Sequence, residues 1–482
     1  MPAGTPSVIL CEPIGSPRGR TGGNFCLLWD RLWHFHREPK VIALWLTLFG
    51  WALRALTPAR RRLLLALAGL YFAVVRPWEE HREAAALLNF VPRPIEGAIV
   101  IAVLLAFVGV CYLGALRFAA LPAFVKRRPQ ICLHAVILAV FAALWIIRPE
   151  AGMTRSILVG VTAFLPFLAW RLGYLLMTAQ RGRMQGTRFT DHFMYLSPAW
   201  GGSATPFGKG LDYLSANEAQ DVEALARSQL SGIRLLAVAV LLLLVKRLFE
   251  GIVFDEANSI HANLDGVLGG FTLSIARAER MFVRPDAYPL WMRWASIYCE
   301  LFWLVLHIAV HGHIIIACLR LAGFNVFRNT YKPLLAESVL EFWNRYYFYF
   351  KELLAIFFFY PAFTRHFKKH PRVRLVWAVF AAAFFGNMYY HCLASSTLPV
   401  ADFGGLWALM HSRLVYCFLL AAGISISMLR QQSRAGAPPR SLGGRAAAIF
   451  GVWTFFSLIH LWTGGTTPIG DRARFVASLF GL

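Results

Sequence analysis

The longest uncharged runs in this 482-residue sequence determine what it can fold into. Residues 97–116 carry no charged side chain over 20 positions. Residues 375–398 carry one side chain that ordinarily titrates near neutral pH, His391, over 24 positions. A helix of about 20 apolar residues crosses the roughly 30 Å hydrocarbon core of a bilayer. The two runs therefore predict membrane-spanning helices.

The composition extends this prediction to the whole chain. Hydrophobic residues make up 58% of the sequence and charged residues 15%, against roughly 25% charged in soluble domains. We predict an all-α polytopic protein of the cell membrane, in which a flexible basic tail (1–40) precedes one transmembrane domain (41–482) with a central cavity. Roughly eleven spans are expected, at residues 41–56, 63–75, 97–116, 131–147, 156–177, 230–245, 295–319, 353–363, 375–398, 403–429 and 446–462.

The net charge of +23 would suggest nucleic-acid binding in a soluble chain. Here the Lys and Arg residues cluster between apolar segments, as cytoplasmic loops of membrane proteins do, and no nucleic-acid-reading motif is present. Residues 365–374 and 430–445 are both basic and are separated by two spans, which predicts that both face the cytoplasm and that residues 395–402 lie outside. The eight cysteines are scattered without a C-x-x-C pair, so we expect no zinc or redox site.

Charges and irregular stretches within the spans point to a polar interior. Arg171, Glu300 and Arg413 fall in apolar segments, where ionisable side chains usually face a cavity or neighbouring helices. Residues 182–226 and 251–289 break the helical pattern and are expected to form re-entrant or interfacial segments around a central site.

The segment 336–361 contains the first candidate site. If it is one helix, Asn344, Tyr347 and Lys351 fall at positions i, i+3 and i+7 and make a polar stripe on an aromatic segment. The stripe would face an internal cavity; alternatively, these groups bond only to neighbouring helices.

A second candidate site lies in the run 375–398, where Asn387 and His391 are four residues apart and so share a helix face. An ionisable group at this depth is costly, which favours a function, although a histidine in a helix can also be a packing residue. The other histidines of apolar segments are interpreted as structural: His134, His307, His311, His313, His411 and His460.

These two sites together resemble the membrane-bound O-acyltransferase (MBOAT) family, and most closely its bacterial alginate O-acetylation and teichoic-acid D-alanylation branch. In that branch one helix carries F-W-R-R-W-H and a later helix carries W-H-G, whose histidine is catalytic. Here F-W-N-R-Y-Y stands at 342–347 and Y-H-C at 390–392. Two further blocks, 171–209 and 312–333, follow the family's order, so the resemblance covers about residues 160–398.

The resemblance implies transfer of an acyl group from a thioester donor to a hydroxyl of a lipid, glycan or other membrane-associated acceptor. A neutral histidine suits the removal of the hydroxyl proton, and hydrogen-bond donors suit the developing oxyanion. The implied residues are the catalytic His391 and Asn344 and the substrate-binding Trp343, Arg345, Tyr347, Asn387 and Tyr390. Asn387 would orient the imidazole.

The partners implied are membrane lipids, the hydroxyl acceptor, and an acyl donor that is either acyl-coenzyme A or an acyl-carrier thioester. An acyl-carrier or accessory protein would be a further partner. No bound cofactor and no metal are expected, and no nucleic acid.

The sequence also departs from the family. Tyr347 replaces the family's first histidine, and Ala309 stands where the family has an aspartate. The D-alanine and alginate substrates therefore do not carry over. These departures leave an alternative open, a catalytically inactive MBOAT-like transporter or scaffold.

Overall fold

The computed structural model describes residues 34–147, 150, 152–196, 209–254, 272–394, 403–433, 440–465 and 467–482. These residues form α-helices, two π-helical turns and a few 3-10 turns, with one isolated β-bridge and no strand. The helices are α1 Pro39–Ala55, α2 Pro58–Leu87, α3 Pro94–Leu116, α4 Ala123–Arg127, α5 Pro129–Ile147, α6 Met153–Gln180, α7 Phe189–Leu196, α8 Leu211–Ala216, α9 Val222–Phe254, α10 Ala278–Met281, α11 Leu290–Leu321, α12 Val339–Tyr346, α13 Phe348–Leu354, α14 Tyr360–Arg365, α15 Pro371–Phe380, α16 Asn387–Leu393, α17 Phe403–Ser433, α18 Leu442–His460 and α19 Ile469–Ser478. The π-helical turns, Ala355–Phe359 and Ala381–Gly386, join α13 to α14 and α15 to α16.

Seven helices in the described part of the chain are long and apolar enough to span a membrane. They are α3, α5, α6, α11, α17, α18 and the continuous helix Pro371–Leu393, and the pair α1 and α2, bent by 73°, could add an eighth span. The chain is therefore an all-helical polytopic membrane protein, as predicted. Each segment predicted to span is helical over most of its described length, while the total of eleven crossings stays a prediction.

Proline sets where many of these helices begin. Proline has no backbone N–H to leave unbonded and its φ angle is already helical, so it favours the first turn. It also keeps the preceding residue extended, which ends the helix before it. At the α1–α2 junction, Thr57 caps α2 directly before Pro58, and the two helices diverge sharply there. Five helices start on proline: Pro39, Pro58, Pro94, Pro129 and Pro371.

Helix α6 is the centre of the molecule. It is 89% buried over its most apolar stretch, against at most 50% for the other six spanning helices, and it packs against α2, α3 and α5. A helix that is apolar on all sides belongs inside a bundle. Its one buried charge, Arg171, donates to the carbonyl of Phe167 and lies 4.7 Å over the Phe72 ring. The prediction that this charge faces protein is confirmed.

The segments predicted to be irregular contain short helices where they are described. Within 182–226 lie α7, α8 and the start of α9, and within 251–289 lie α10 and a 3-10 turn; residues 197–208 and 255–271 are outside the described part. Glu300 of α11 accepts a 2.7 Å hydrogen bond from the Ala278 amide, so this charge also faces protein. Of the predicted tail 1–40, residues 1–33 are outside the described part, and α1 begins at Pro39.

Candidate functional site

Helix α16 carries the candidate histidine and follows directly on a π-helical turn. Asn387 begins this helix and His391 lies one turn later, so the prediction that they share a helix face is confirmed. The turn before it packs against the other π-helical turn, and a Cβ added to Gly386 would lie 2.5 Å from the Phe358 ring. Glycine at 386 therefore permits the contact. Single π-helical turns within helices are frequent at functional sites.

The His391 side chain is half-buried and lies among aromatic rings. Its ring centroid is 5.5 Å from that of Tyr390 and 6.5 Å from that of Tyr416 on α17. Arg413 of α17 is within electrostatic range of the imidazole and donates a 2.9 Å hydrogen bond to the Thr463 carbonyl. No hydrogen bond joins either ring nitrogen to another described residue. The imidazole is thus held by ring contacts while its nitrogens stay available.

Asn387 is fully buried, and its side chain forms no hydrogen bond with the residues that the structure describes. Neither its Oδ1 nor its Nδ2 has a partner in the described part of the chain. A buried polar group left unpaired costs about 1–3 kcal/mol, so the packing alone does not explain an amide at this position. The proposed hydrogen bond from Asn387 to the His391 ring is not formed in this structure.

Most of the competing histidines are hydrogen-bonded within the protein. His134 bonds to the Tyr389 hydroxyl at 2.7 Å, and His313 bonds to the Ala309 carbonyl at 2.6 Å. His311, His411 and His460 also bond to neighbouring groups. His307 stacks on Trp303 with ring centroids 5.2 Å apart. These contacts agree with the structural interpretation given to these six residues.

The prediction of one helix over 336–361 is wrong, because the chain breaks at Tyr347 (φ −142°, ψ 72°) between α12 and α13. The segment that precedes α12 supplies the physical reason. Asn329 accepts from the amide of Phe348 through its carbonyl and from the amide of Tyr349 through its side chain, each at 3.1 Å. Tyr331 donates a 2.7 Å bond to the Arg345 carbonyl. These bonds replace the helical bonds lost at the break, so the predicted polar stripe does not form.

Aromatic contacts nevertheless join the two candidate segments. The centroid of the Phe350 ring lies 6.1 Å from that of Trp343 and 5.4 Å from that of Tyr347. It also lies 4.6 Å from the ring centroid of Tyr390, the neighbour of His391. Such ring pairs contribute about 0.5–1.5 kcal/mol each beyond their buried area. The structure therefore brings Trp343, Tyr347 and Tyr390 into one cluster, which we call the aromatic bridge (with Phe350 at its centre).

Two other predicted residues, Asn344 and Arg345, belong to the last turn of α12. Arg345 forms an ion pair with Glu341 and donates a 3.4 Å bond to the Lys332 carbonyl, so its guanidinium is already engaged. Asn344 is half-buried, and no hydrogen bond joins its side chain to the described residues. Of these two residues, only Asn344 has a side chain that is free to bind a substrate.

A buried ion cluster adjoins these segments. Glu352 of α13 pairs with Lys351 at 2.9 Å and with Lys209, so two cations share one carboxylate. Lys209 also lines a cavity of about 210 Å³ beside the C-terminal end of α6, together with Arg181 and Asp212. Tyr174 also lines the cavity, and its hydroxyl is buried and has no partner among the described residues. The cavity can therefore take a polar or anionic group.

Helix α6, which borders this cavity, also contacts the helix that carries His391. Trp170 precedes Tyr174 by one turn on α6, and its ring lies 5.8 Å from Tyr389 and 6.4 Å from Tyr390. Sequence reasoning missed Lys209, Glu352, Tyr174 and Tyr416 as neighbours of the site, because they come from separate elements. Arg413 was detectable in the sequence, because it is a charged residue within an apolar span.

The described residues contain no group of three His, Cys, Asp or Glu side chains arranged to hold a metal ion. Their six cysteines are unpaired. Comparison of the sequence with models of known protein families and with curated proteins finds no match.

Proposed function

We propose that the chain is a membrane-embedded O-acyltransferase of the MBOAT type, with His391 as general base. The observation that carries the proposal is the aromatic bridge, which packs the segment of Trp343 and Tyr347 against the helix of His391. Each of the two segments carries side chains suited to acyl transfer, and about 45 residues separate Trp343 from His391 in the sequence. Their contact supports one shared site.

The proposed reaction is direct transfer. A hydroxyl of the acceptor attacks the carbonyl carbon of a thioester while the His391 imidazole takes the hydroxyl proton. The tetrahedral intermediate then collapses, the carbon–sulfur bond breaks, and the thiolate leaves with the proton from the imidazolium. The products are an ester and a free thiol. The ring nitrogens of His391 bond to no described residue, which supports this role, because a base must be free to accept a proton.

Two side-chain amides are candidates to stabilise the oxyanion of that intermediate. Asn344 and Asn387 each have an Nδ2 group that bonds to no described residue. Removing one preorganised donor from an oxyanion site typically costs about 2.7–4 kcal/mol of transition-state stabilisation. We assign this role to Asn344 and assign Asn387 to binding a substrate polar group beside the imidazole.

The donor is acyl-coenzyme A or an acyl-carrier thioester, and the acceptor is a hydroxyl of a lipid, glycan or other membrane-associated molecule. The cavity supports a donor with an anionic group, because Arg181 lines it and forms no ion pair with a carboxylate among the described residues. Asp212, which lines the same cavity, pairs with Arg183 at 2.9 Å.

Mass spectrometry of lipids and glycans tests this proposal in cells with and without the gene. An acyltransferase adds one ester-linked acyl group to a class of molecule that lacks it in the deletion strain. Complementation with His391→Ala should leave that class unacylated. Identical acyl profiles with and without the gene would contradict the proposal.

A further inference from the structure

A second cluster of charged side chains lies away from the candidate site, where the C-terminal end of α11 meets α9 and the turn before α1. Arg320 of α11 donates a 2.8 Å bond to Ser231 of α9, one turn before Arg234. Arg234 in turn has its Nη1 atom 3.3 Å from the Nε2 atom of His36. Arg37 follows His36, and Arg328 follows α11. We call Arg37, Arg234, Arg320 and Arg328 the arginine cluster.

Three of the four arginines carry a charge that no carboxylate balances in the described part of the chain. Arg37, Arg320 and Arg328 form no ion pair with a carboxylate among the described residues. The charged neighbours that act on His36 are Arg234, Arg37, His34 and Arg320, which are all basic. Burial, reinforced by these charges, lowers the pKa of His36 to about 4, so its ring is neutral at pH 7 and adds no further repulsion.

Two of the arginines are held in place rather than free to spread apart. Arg320 donates two bonds to the Val326 carbonyl, at 3.0 and 2.8 Å, besides its bond to Ser231. Arg328 stacks on Tyr331, with its guanidinium carbon 3.8 Å from the ring centroid, and burial lowers its pKa. Arg328 is also within electrostatic range of both Arg234 and Arg320. Like charges fixed together and half-buried repel one another unless an anion joins them.

The exposed basic loops of the chain differ from this arrangement. Lys368 and Lys369, for example, are exposed on the loop after α14, where the general preference for cations at cytoplasmic membrane faces accounts for them. That preference does not require several arginines from three elements to converge. Guanidinium groups bind phosphate through paired, charge-assisted hydrogen bonds, which makes phosphate the anion best matched to the cluster.

We propose that the arginine cluster is a binding site for a phosphate group, carried either by the headgroup of an anionic phospholipid or by a phosphate compound in solution. The site is independent of the proposed acyl transfer. It would neutralise the cluster and tie α9, α11 and the turn before α1 together.

Binding to the full-length protein in nanodiscs separates the two sources of phosphate. One arm compares phosphatidylcholine nanodiscs with and without phosphatidylglycerol and counts retained phosphatidylglycerol by native mass spectrometry. The other arm titrates inorganic phosphate into pure phosphatidylcholine nanodiscs and follows the melting temperature. The test variant is Arg37→Gln/Arg328→Gln, since neither side chain bonds to the backbone of another described element. The matched control, Lys368→Gln/Lys369→Gln, removes the same charge from an exposed loop.

The test variant should weaken binding about tenfold or more in one arm, because each lost charge-assisted contact is worth several-fold in affinity. The control should bind like the wild type. Loss confined to the lipid arm assigns the site to a headgroup, and loss in the phosphate arm assigns it to a soluble phosphate compound. If a folded test variant matches the wild type in both arms, or if the control loses as much as the test variant, the proposal is overturned.

Discussion

Asn387 combines complete burial with an amide that bonds to no described residue. Replacement by leucine, a side chain of similar size, removes the unpaired polar group. We expect Asn387→Leu to raise the free energy of unfolding by about 1–3 kcal/mol while it lowers acyl transfer. Thermal unfolding of the purified protein and product analysis give the two readouts.

The matched control for that substitution is Asn329→Leu. Asn329 is also buried, but its side chain accepts a hydrogen bond from the Tyr349 amide, so its loss should destabilise the protein. A destabilised Asn387→Leu variant would show that the Asn387 amide has an energetic partner in the folded protein.

Asn344 and His391 are proposed to act on one transition state. Each alanine substitution alone should lower turnover, and the double variant should fall well short of the product of the two losses. Steady-state rates of the two single variants and the double variant measure this directly. Fully multiplicative losses would indicate that the two side chains act independently.

At the scale of elements, the two π-helical turns that flank the site are fitted to each other at Gly386. A Cβ at this position would lie 2.5 and 2.6 Å from ring atoms of Phe358. We expect Gly386→Ala to lower the free energy of unfolding by about 1–3 kcal/mol, and Gly386→Ala/Phe358→Leu to recover part of the loss. Denaturation in detergent measures both.

Gly451 of α18 is the control for this pair. A Cβ there meets no atom within 4 Å, so Gly451→Ala should be neutral or stabilising. Equal effects of Gly386→Ala and Gly451→Ala would mean that helix propensity, and not the contact with Phe358, sets the requirement for glycine.

The break between α12 and α13 is a feature that the helical spacing of polar residues did not predict. The spacing of Asn344, Tyr347 and Lys351 fits a helix, and nothing local opposes one. The backbone partners that stabilise the break are Asn329 and Tyr331, which precede it in the chain and belong to another segment. The spacing of residues within a segment carries no information about hydrogen-bond partners outside it. The break was therefore not predictable from the segment itself.

At the scale of the whole molecule, the membrane-spanning helices follow closely from the sequence, because an uncharged run is a local property that the bilayer acts on directly. Helix α3, predicted at 97–116, runs from Pro94 to Leu116. The candidate site could be predicted from the sequence only in part. His391 and Asn387 share a helix as predicted, but the ring of Phe350 that connects them to Trp343 has no marker in the sequence.

The orientation of the molecule is a further prediction at this scale. Positive charges near span ends are retained in the cytoplasm, so Lys368 and the basic loop of residues 430–445 should face it. Cysteine placed at Lys368 or Gln431 in a cysteine-free background should resist a membrane-impermeant thiol reagent added to intact cells. Labelling of either position from outside would reverse the orientation.

The most direct test of the proposed mechanism is the turnover of purified His391→Ala. Removing the base should slow acyl transfer about a hundredfold or more. The protein should still fold, since the substitution breaks no hydrogen bond to a described residue. His307→Ala is the matched control, because His307 is another ring in a spanning helix held by stacking, and it should keep near wild-type turnover. Wild-type turnover by folded His391→Ala would contradict the assignment of His391 as general base.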